Sequence, residues 1–353
     1  MEEDKMWNTC LEEREVKLTS ESERNALITF LGQQGLALDG DIEYSMVITD
    51  SGKIIATGSF AGRILKCIAV DGEYQGQGYS GKVVTHLTNE LFRRGRTHLF
   101  VFTTPRNKQI FSDLGLSVVA EVPSRVVLME NRTDGIRNYL EELTAESGEI
   151  VPSASAVVNC NPFTLGHRYL LEYAAARCQK LHVFVVWEDK SSFPAEVRYR
   201  LVKEGTADLP NVIVHRGRDY IISNATFPTY FVKHYEDMVE THARLDVAVF
   251  LRHIAPRLDI RKRFVGEEPY CAVTSEYNRV MAEMLPAAGI ELEIVPRKTF
   301  GGTAISASRV RELLRSGDLA AVRMLVPETT YRFLLSEDGG EIIRKLHCLP
   351  GRH

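Results

Sequence analysis

Residues 155–170 read Ser155-Ala-Val-Val-Asn-Cys-Asn-Pro-Phe-Thr-Leu-Gly-His-Arg-Tyr-Leu170, and the class of fold follows from them. Ala156, Val157 and Val158 form a β-prone apolar run, and Asn159 to Pro162 is turn chemistry. Leu165, Tyr169, Leu170, Tyr173 and Ala174 then recur at helical spacing. A short buried strand that turns tightly into a helix aims free backbone N–H groups and the positive end of the helix at whatever lies above it. Phosphates bind at such junctions. Gly166 allows a phosphate close to the backbone, Thr164 offers a hydroxyl, and His167 can donate an N–H to polyphosphate oxygens. The alternative is a purely structural turn in which His167 acts as a cap.

Around this stretch, strand and helix alternate regularly. Strands are expected at 156–159, 181–187, 212–215, 247–250, 264–266 and 292–295, with helices near 166–178, 195–208, 228–243, 275–285 and 306–315. Several of the strands are unbroken apolar runs, as a parallel sheet covered on both faces requires. A doubly wound α/β domain follows. Its last helix opens at Ile305-Ser-Ala-Ser-Arg-Val-Arg311, after Phe300-Gly-Gly-Thr303. Ser306 is a natural N-cap, and Ser308 adds a hydroxyl beside the first-turn N–H groups. Arg309 and Arg311 oppose the helix macrodipole there, a cost that an anionic ligand offsets.

The pattern Pro162-x-Thr164-x-Gly166-His167 resembles the (H/T)xGH signature of the adenylyl- and cytidylyltransferase superfamily, with Thr164 in the slot often held by His. Residues 305–311 resemble the ISSTxxR motif of the same enzymes: Ala307 replaces one Ser, Ser308 stands at the Thr position, and Arg311 aligns with the family Arg. The resemblance implies a Rossmann-like domain that carries out nucleotidyl transfer from ATP, with Thr164, His167 and Arg311 as the catalytic set. It also places Asn161, Pro162, Phe163, Gly166, Ser306, Ser308 and Arg309 at the nucleotide. Phe264-Val-Gly-Glu-Glu268 sits where relatives carry G-x-D, which puts Gly266 and Glu268 on the ribose or adenine side. A solvated acidic loop is the other reading of Glu268.

Toward the amino terminus, residues 43–49, 53–60 and 64–70 read as strands joined by turns at Asp50-Ser-Gly52 and Ala61-Gly62. A glycine-rich segment, 70–81, then opens a helix that runs to about Arg94, with Val83, Val84, Leu87, Leu91 and Phe92 at helical spacing. Gln75-Gly-Gln-Gly78-Tyr-Ser80 resembles the Q/R-x-x-G-x-G/A loop of GNAT acyltransferases, with Ser80 where Gly or Ala is usual. After a strand at 99–103, Asn107-Lys-Gln-Ile-Phe111-Ser-Asp-Leu-Gly115-Leu resembles the N-x-x-x-F-x-x-x-G ending of that fold. A GNAT-like α+β domain over 1–135 is implied, with a polar linker at 136–151 and the nucleotidyltransferase-like domain over 152–353. Gln75, Gly76, Gly78, Ser80, Gly81 and Asn107 are the residues implied to hold a coenzyme-A-like arm. Glu43, Asp71 and Glu73 are undistinguished carboxylates, so two readings stand: retained acyl transfer, or a sheet that holds a pantetheine arm without chemistry on it.

Composition removes other classes. A net charge of −4 and the lack of a dense basic tract give no nucleic-acid signal. The acidic start Met1-Glu-Glu-Asp-Lys-Met-Trp is no signal peptide, and no run approaches the ~18 apolar residues of a membrane helix. Cys10, Cys67, Cys160, Cys178, Cys271 and Cys348 are scattered without CxxC pairing, as expected for a cytoplasmic protein with no metal site. Cys160 lies in the turn, but no base in the sequence partners it as a nucleophile.

The stretches between the motifs narrow the resemblance. Asn159-x-Asn-Pro-Phe-Thr-Leu-Gly-His-Arg-Tyr-Leu, Trp187-Glu-Asp-Lys-Ser-Ser-Phe-Pro194, Ser223-Asn-Ala-Thr-Phe-Pro228-Thr-Tyr-Phe, Ile254-Ala-Pro, Arg263-Phe-Val-Gly-Glu-Glu-Pro269 and Tyr277-Asn-Arg-Val-Met281 resemble the citrate lyase ligases. That resemblance implies ATP with Mg²⁺, acetate, and the acyl carrier subunit of citrate lyase as partners, with no tightly bound cofactor. Acetyl-AMP would pass its acetyl group to the thiol of a phosphoribosyl-dephospho-coenzyme-A group, releasing AMP and pyrophosphate. Three alternatives remain open: an adenylyltransferase that makes a small nucleotide cofactor, an acetate ligase for another acyl carrier protein, and a GNAT acetyltransferase with a regulatory nucleotide-binding domain. Lys190, Arg198 and Arg200 read equally as anion ligands or as a solvated helix face. Tyr220, Ser223, Thr226, Phe227, Pro228 and Tyr230 read equally as an acyl pocket or as a buried aromatic core.

Overall fold

The computed structural model describes residues 11–188, 190–222, 227, 230, 235–268 and 272–348. The chain forms two compact units, Met1–Gly135 with Pro228–Thr241, and Ile136–Phe227 with His242–His353.

In the first unit the strands are β1 (Leu11–Glu15), β2 (Tyr44–Asp50), β3 (Lys53–Ala61), β4 (Ile64–Val70), β5 (Phe100–Thr103), β6 (Ser117–Val122) and β7 (Val126–Glu130). They form one sheet in the order β1-β2-β3-β4-β5-β7-β6. The β2–β3 hairpin closes on Ser51 and Gly52, which both have positive φ (50° and 86°), as a two-residue turn matched to strand twist requires. Every pairing is antiparallel except β4 with β5, where only Ile64↔Phe100 and Leu65↔Val101 are in register. Between those two strands runs the helix Tyr79–Arg93, whose Val83, Val84, Leu87 and Leu91 pack on Met46, Ile48, Phe60 and Val101. Parallel neighbours need such a crossover, and it makes this unit the expected GNAT-like α+β fold.

The second unit carries β8 (Ser153–Val158), β9 (Leu181–Val185), β10 (Val212–Arg216), β11 (Ile260–Gly266) and β12 (Glu291–Val295), all parallel, in the order β10-β9-β8-β11-β12. This is the expected doubly wound sheet. Ala154, Ala156, Val158, Leu181, Val183, Val185 and Phe264 place it at the centre of the unit's core. Strand order reverses between β8 and β11, so the loops that leave those two carboxyl ends diverge and leave a crevice between them.

One stretch differs from the sequence expectation. Residues 247–250 are not a strand: they end the helix Tyr235–Val249 and begin a π-helical turn, Phe250–Ile254. Leu245, Val247, Val249, Phe250 and Ile254 are all fully buried, and a short apolar run cannot by itself distinguish a buried helix from a strand. The linker stretch forms a helix, Gly135–Ser147, as its polar, charge-rich sequence predicts, and from Ile136 on it falls within the second unit. Tyr139 donates its hydroxyl to the Arg216 carbonyl (3.1 Å), Glu146 meets His215 Nδ1 (2.5 Å), and Lys180 Nζ donates to the Ser147 carbonyl (2.9 Å).

Candidate active site at the strand switch

β8 ends at Val158, and the helix Leu165–Ala175 begins seven residues later under an N-cap, Thr164. His167 is built into that cap. The Thr164 hydroxyl oxygen accepts the His167 backbone N–H (3.4 Å), while His167 Nδ1 accepts the Thr164 backbone N–H (3.1 Å). This is a capping box with imidazole in the place of the usual Glu or Gln. Because Nδ1 accepts, the proton of the neutral ring sits on Nε2. Burial, and after it the charge of Arg297, pushes the His167 pKa down to about 4, so the ring is a neutral N–H donor near pH 7. Phe163 lies fully buried against the ring (6.1 Å between centroids, 13° between planes).

The second helix, Ala307–Ser316, starts under Ser306, whose hydroxyl accepts the Arg309 N–H at 3.2 Å. Arg311 is buried, and its Nη1 donates to the Asn161 carbonyl at 2.6 Å while Nη2 donates to Ser308 Oγ at 3.3 Å. The Asn161 side chain accepts the Phe193 N–H (3.0 Å), which fixes the loop from its other side. A β-carbon placed on Gly166 would lie 2.9 Å from the Ile305 carbonyl oxygen. The two helix starts, about 140 residues apart in the chain, therefore touch. Nη1 of Arg309 is buried with no hydrogen-bond partner among the described residues. Two helix N-termini, Arg309 in the first turn of one and Arg311 just beyond it bring positive charge to one place, an arrangement that suits an anion.

Gly266 closes β11, and its carbonyl accepts from Asn278 (3.3 Å). Glu268 follows, half-buried and ion-paired with Arg297, whose Nε also donates to the Glu267 carbonyl at 2.7 Å. Buried in the turn, the Cys160 thiol is pushed far above its ordinary pKa, which disfavours the thiolate a nucleophile needs. Among the described residues, no group of three His, Cys, Asp or Glu side chains is arranged to hold a metal ion.

The family whose description is "Citrate lyase ligase C-terminal domain" matches residues 153–334. The citrate (pro-3S)-lyase ligase of Escherichia coli (strain K12) is 40% identical over 324 residues, covering 90% of this chain and 92% of that protein. The chain belongs to the citrate lyase ligase family. Its counterpart from Klebsiella pneumoniae is 39% identical over 331 residues, covering 93% and 97%. Among solved structures, Escherichia coli ElaA gives a TM-score of 0.31 at 12% identity, over 35% of this chain and 99% of that one. Thermotoga maritima TmcAL bound with alpha-thio ATP gives 0.38 at 14% identity, over 54% and 57%.

In this ligase the other residues singled out from sequence fall into three groups. Gln75, Gly76, Gly78, Ser80, Gly81 and Asn107 lie in the first unit. There, Gly76 and Gly78 adopt φ of 76° and 81°, Gly78 is the N-cap of the helix Tyr79–Arg93, and Gln75 Nε2 donates to the Val70 carbonyl (3.3 Å). Asn107 precedes the helix Lys108–Asp113.

Tyr220, Phe227 and Tyr230 are buried, as the aromatic-core reading expects. Tyr220 stacks on Tyr139 (5.1 Å), and Phe227 packs on His242 (5.1 Å). Tyr230 belongs to the first unit, where its hydroxyl donates to the Phe102 carbonyl (2.6 Å). Ser223, Thr226 and Pro228 lie outside the described residues.

Of the three cations after β9, Lys190 and Arg200 are exposed, whereas Arg198 fits neither expectation. It is fully buried, and donates to the carbonyls of Phe193 (2.9 Å), Asn159 (3.0 Å), Val186 (2.7 Å) and Glu188, and to the Asn159 side chain (2.6 Å). It thereby ties the carboxyl ends of β8 and β9 together. The signal was present in the sequence: Ala195, Arg198, Tyr199 and Val202 stand at i, i+3, i+4 and i+7, so Arg198 lies on the buried stripe of its helix. Arg297 carried no such signal, because its role depends on which strands are neighbours.

Proposed function

We propose that this ligase activates acetate with ATP and passes the acetyl group to the thiol of the phosphoribosyl-dephospho-coenzyme-A group on the acyl carrier subunit of citrate lyase, in the cytoplasm. One observation carries the reading: Arg311 on the Asn161 carbonyl (2.6 Å) draws together two helix N-termini with cations and no compensating carboxylate in either first turn. A triphosphate suits that place. At neutral pH acetate is already ionised, so the first step needs no base. A carboxylate oxygen bonds to the α-phosphorus, the bond from that phosphorus to the bridging oxygen breaks, and pyrophosphate leaves.

The chain aligns the reactants and stabilises charge that develops on the leaving group. Nε2–H of His167 and the Thr164 cap serve the α- and β-phosphates; Ser306, Ser308, Arg309 and Arg311 serve the outgoing pyrophosphate. Mg²⁺ would accompany ATP and supply positive charge that offsets the charge developing on the leaving pyrophosphate. The carrier thiol, once deprotonated, attacks the acetyl carbon, and the bond from that carbon to the AMP oxygen breaks. The glycine-rich turn at residues 75–81 holds the coenzyme-A-like arm.

Pyrophosphate release from ATP, followed with and without acetate in wild type and His167→Ala, tests the reading. Acetate-dependent release that is lost in the variant, with its melting temperature preserved, supports it. Wild-type enzyme that ignores ATP, or a fully active variant, refutes it.

A further inference from the structure

One cation at the site belongs to neither motif. Arg297 stands two residues beyond the end of β12, next to Lys298, whose carbonyl accepts the Ile305 N–H at 3.0 Å. Ile305 is the residue that Gly166 touches, so the backbone beside Arg297 is anchored to the point where the two helix starts meet. The guanidinium is held on two of its three nitrogens: Nε donates to the Glu267 carbonyl (2.7 Å), and Nη2 meets the Glu268 carboxylate. Glu267 in turn donates its N–H to the Val295 carbonyl (2.8 Å), which stitches the loop after β11 to the end of β12. Among the described residues, Nη1 of Arg297 has no hydrogen-bond partner.

Two helix N-termini, Arg309 and Arg311 already make this place positive, and a further arginine adds repulsion that one carboxylate offsets only in part. The balance changes when a triphosphate arrives: its oxygens attract Arg297 and repel Glu268. We propose that Arg297 takes a phosphate oxygen of the triphosphate through Nη1, with Glu268 as the counter-ion that holds the fork in place beforehand. Glu268 is then a positioning residue for Arg297 and not a ligand of ribose. This inference rests on ATP being the substrate and adds a phosphate ligand from outside both signature motifs.

The experiment titrates inorganic pyrophosphate calorimetrically into wild type, Arg297→Gln, Arg297→Lys and Glu268→Gln, with melting temperature as the control for folding. Loss of a charge-assisted hydrogen bond weakens binding by about tenfold or more in Arg297→Gln. Arg297→Lys recovers part of it, because the charge returns without the fork. In Glu268→Gln the amide oxygen still accepts from Nη2 and keeps the fork in place while the repelling charge is gone, so pyrophosphate binds as tightly as to wild type or more tightly. Equal affinity in wild type and a folded Arg297→Gln overturns the inference while leaving the ATP reading intact. Equal weakening by Glu268→Gln and Arg297→Gln also overturns it, because the pair would then be structural. Wild type that releases no pyrophosphate from ATP sinks both.

Discussion

Gly166→Ala tests the contact on which the site depends. The added β-carbon would stand 2.9 Å from the Ile305 carbonyl oxygen, 3.5 Å from Ile305 Cβ and 3.5 Å from Thr164 Oγ1. The nearest of these is backbone, which cannot rotate away as a side chain can. Two effects oppose each other. Alanine favours the helix Leu165–Ala175 by up to ~1 kcal/mol, less so in its first turn. Forcing a methyl group into packed structure costs about 1–3 kcal/mol. The net loss is on the order of 1–2 kcal/mol, which lowers the melting temperature by a few degrees, about 2–4 °C.

Activity should fall further than stability. Relief of the clash moves Ile305, and with it the Ser306 cap, by several tenths of an ångström away from Thr164 and His167. A misplacement of about 1 Å can cost ~100-fold in rate, so a loss of about tenfold or more in acetate-dependent pyrophosphate release is expected. Calorimetric melting and a pyrophosphate-release assay on the same preparation separate the two effects. A variant that melts lower but turns over at the wild-type rate would show that the two helix starts need not be held so close.

Further outcomes follow from other contacts. Arg198→Leu strands the carbonyls of Phe193, Asn159, Val186 and Glu188, and leaves the buried Glu188 without its ion pair (3.5 Å). It should cost about 3–5 kcal/mol in urea unfolding, and a loss below 1 kcal/mol would contradict the clamp. Acidification should destabilise the fold. Burial lowers the pKa of His182 to about 3 and of His242 to about 4, so from pH 6.5 down to about 4 the unfolded chain binds protons that the folded chain does not. Asp246, raised by burial to about 6, works in the opposite direction over part of that window, because its folded form takes up the proton first. His167, lowered by burial to about 4, acts in the same sense, and three histidines outweigh one aspartate, for a net loss of several kcal/mol. Asp246→Asn should steepen it, and urea midpoints that rise on acidification would refute the sign. Gly78→Glu should raise KM for the carrier protein and leave ATP–pyrophosphate exchange unchanged, while Gly78→Asn, which tolerates the φ of 81°, stays near wild type. An unchanged KM in the glutamate variant removes the carrier arm from that turn.

The two helix starts were legible from residue order because caps, turns and apolar runs act over a few residues. Thr164 with His167 and Ser306 with Arg309 are contacts at i, i+3, and β8, β9 and β10 announced themselves by short apolar runs. The glycine-rich turn before the helix Tyr79–Arg93 was legible for the same reason, since positive φ at Gly76 and Gly78 is a local demand. Residues 247–250 misled because burial on all sides erases the periodicity that separates a helix from a strand.

The partners of the charged residues lay beyond such local signals. Arg311 reaches Asn161 across 150 positions, Arg297 reaches Glu268 across 29, and Arg198 spends its guanidinium on strand ends instead of a ligand. Tyr230 was read together with Tyr220 from their nearness in the chain, yet the two belong to different units. Local sequence determined where each helix begins and which groups its first turn offers. Tertiary packing alone decided which of those beginnings meet, because strand order in a sheet is set by the burial of whole faces and not by any residue's near neighbours.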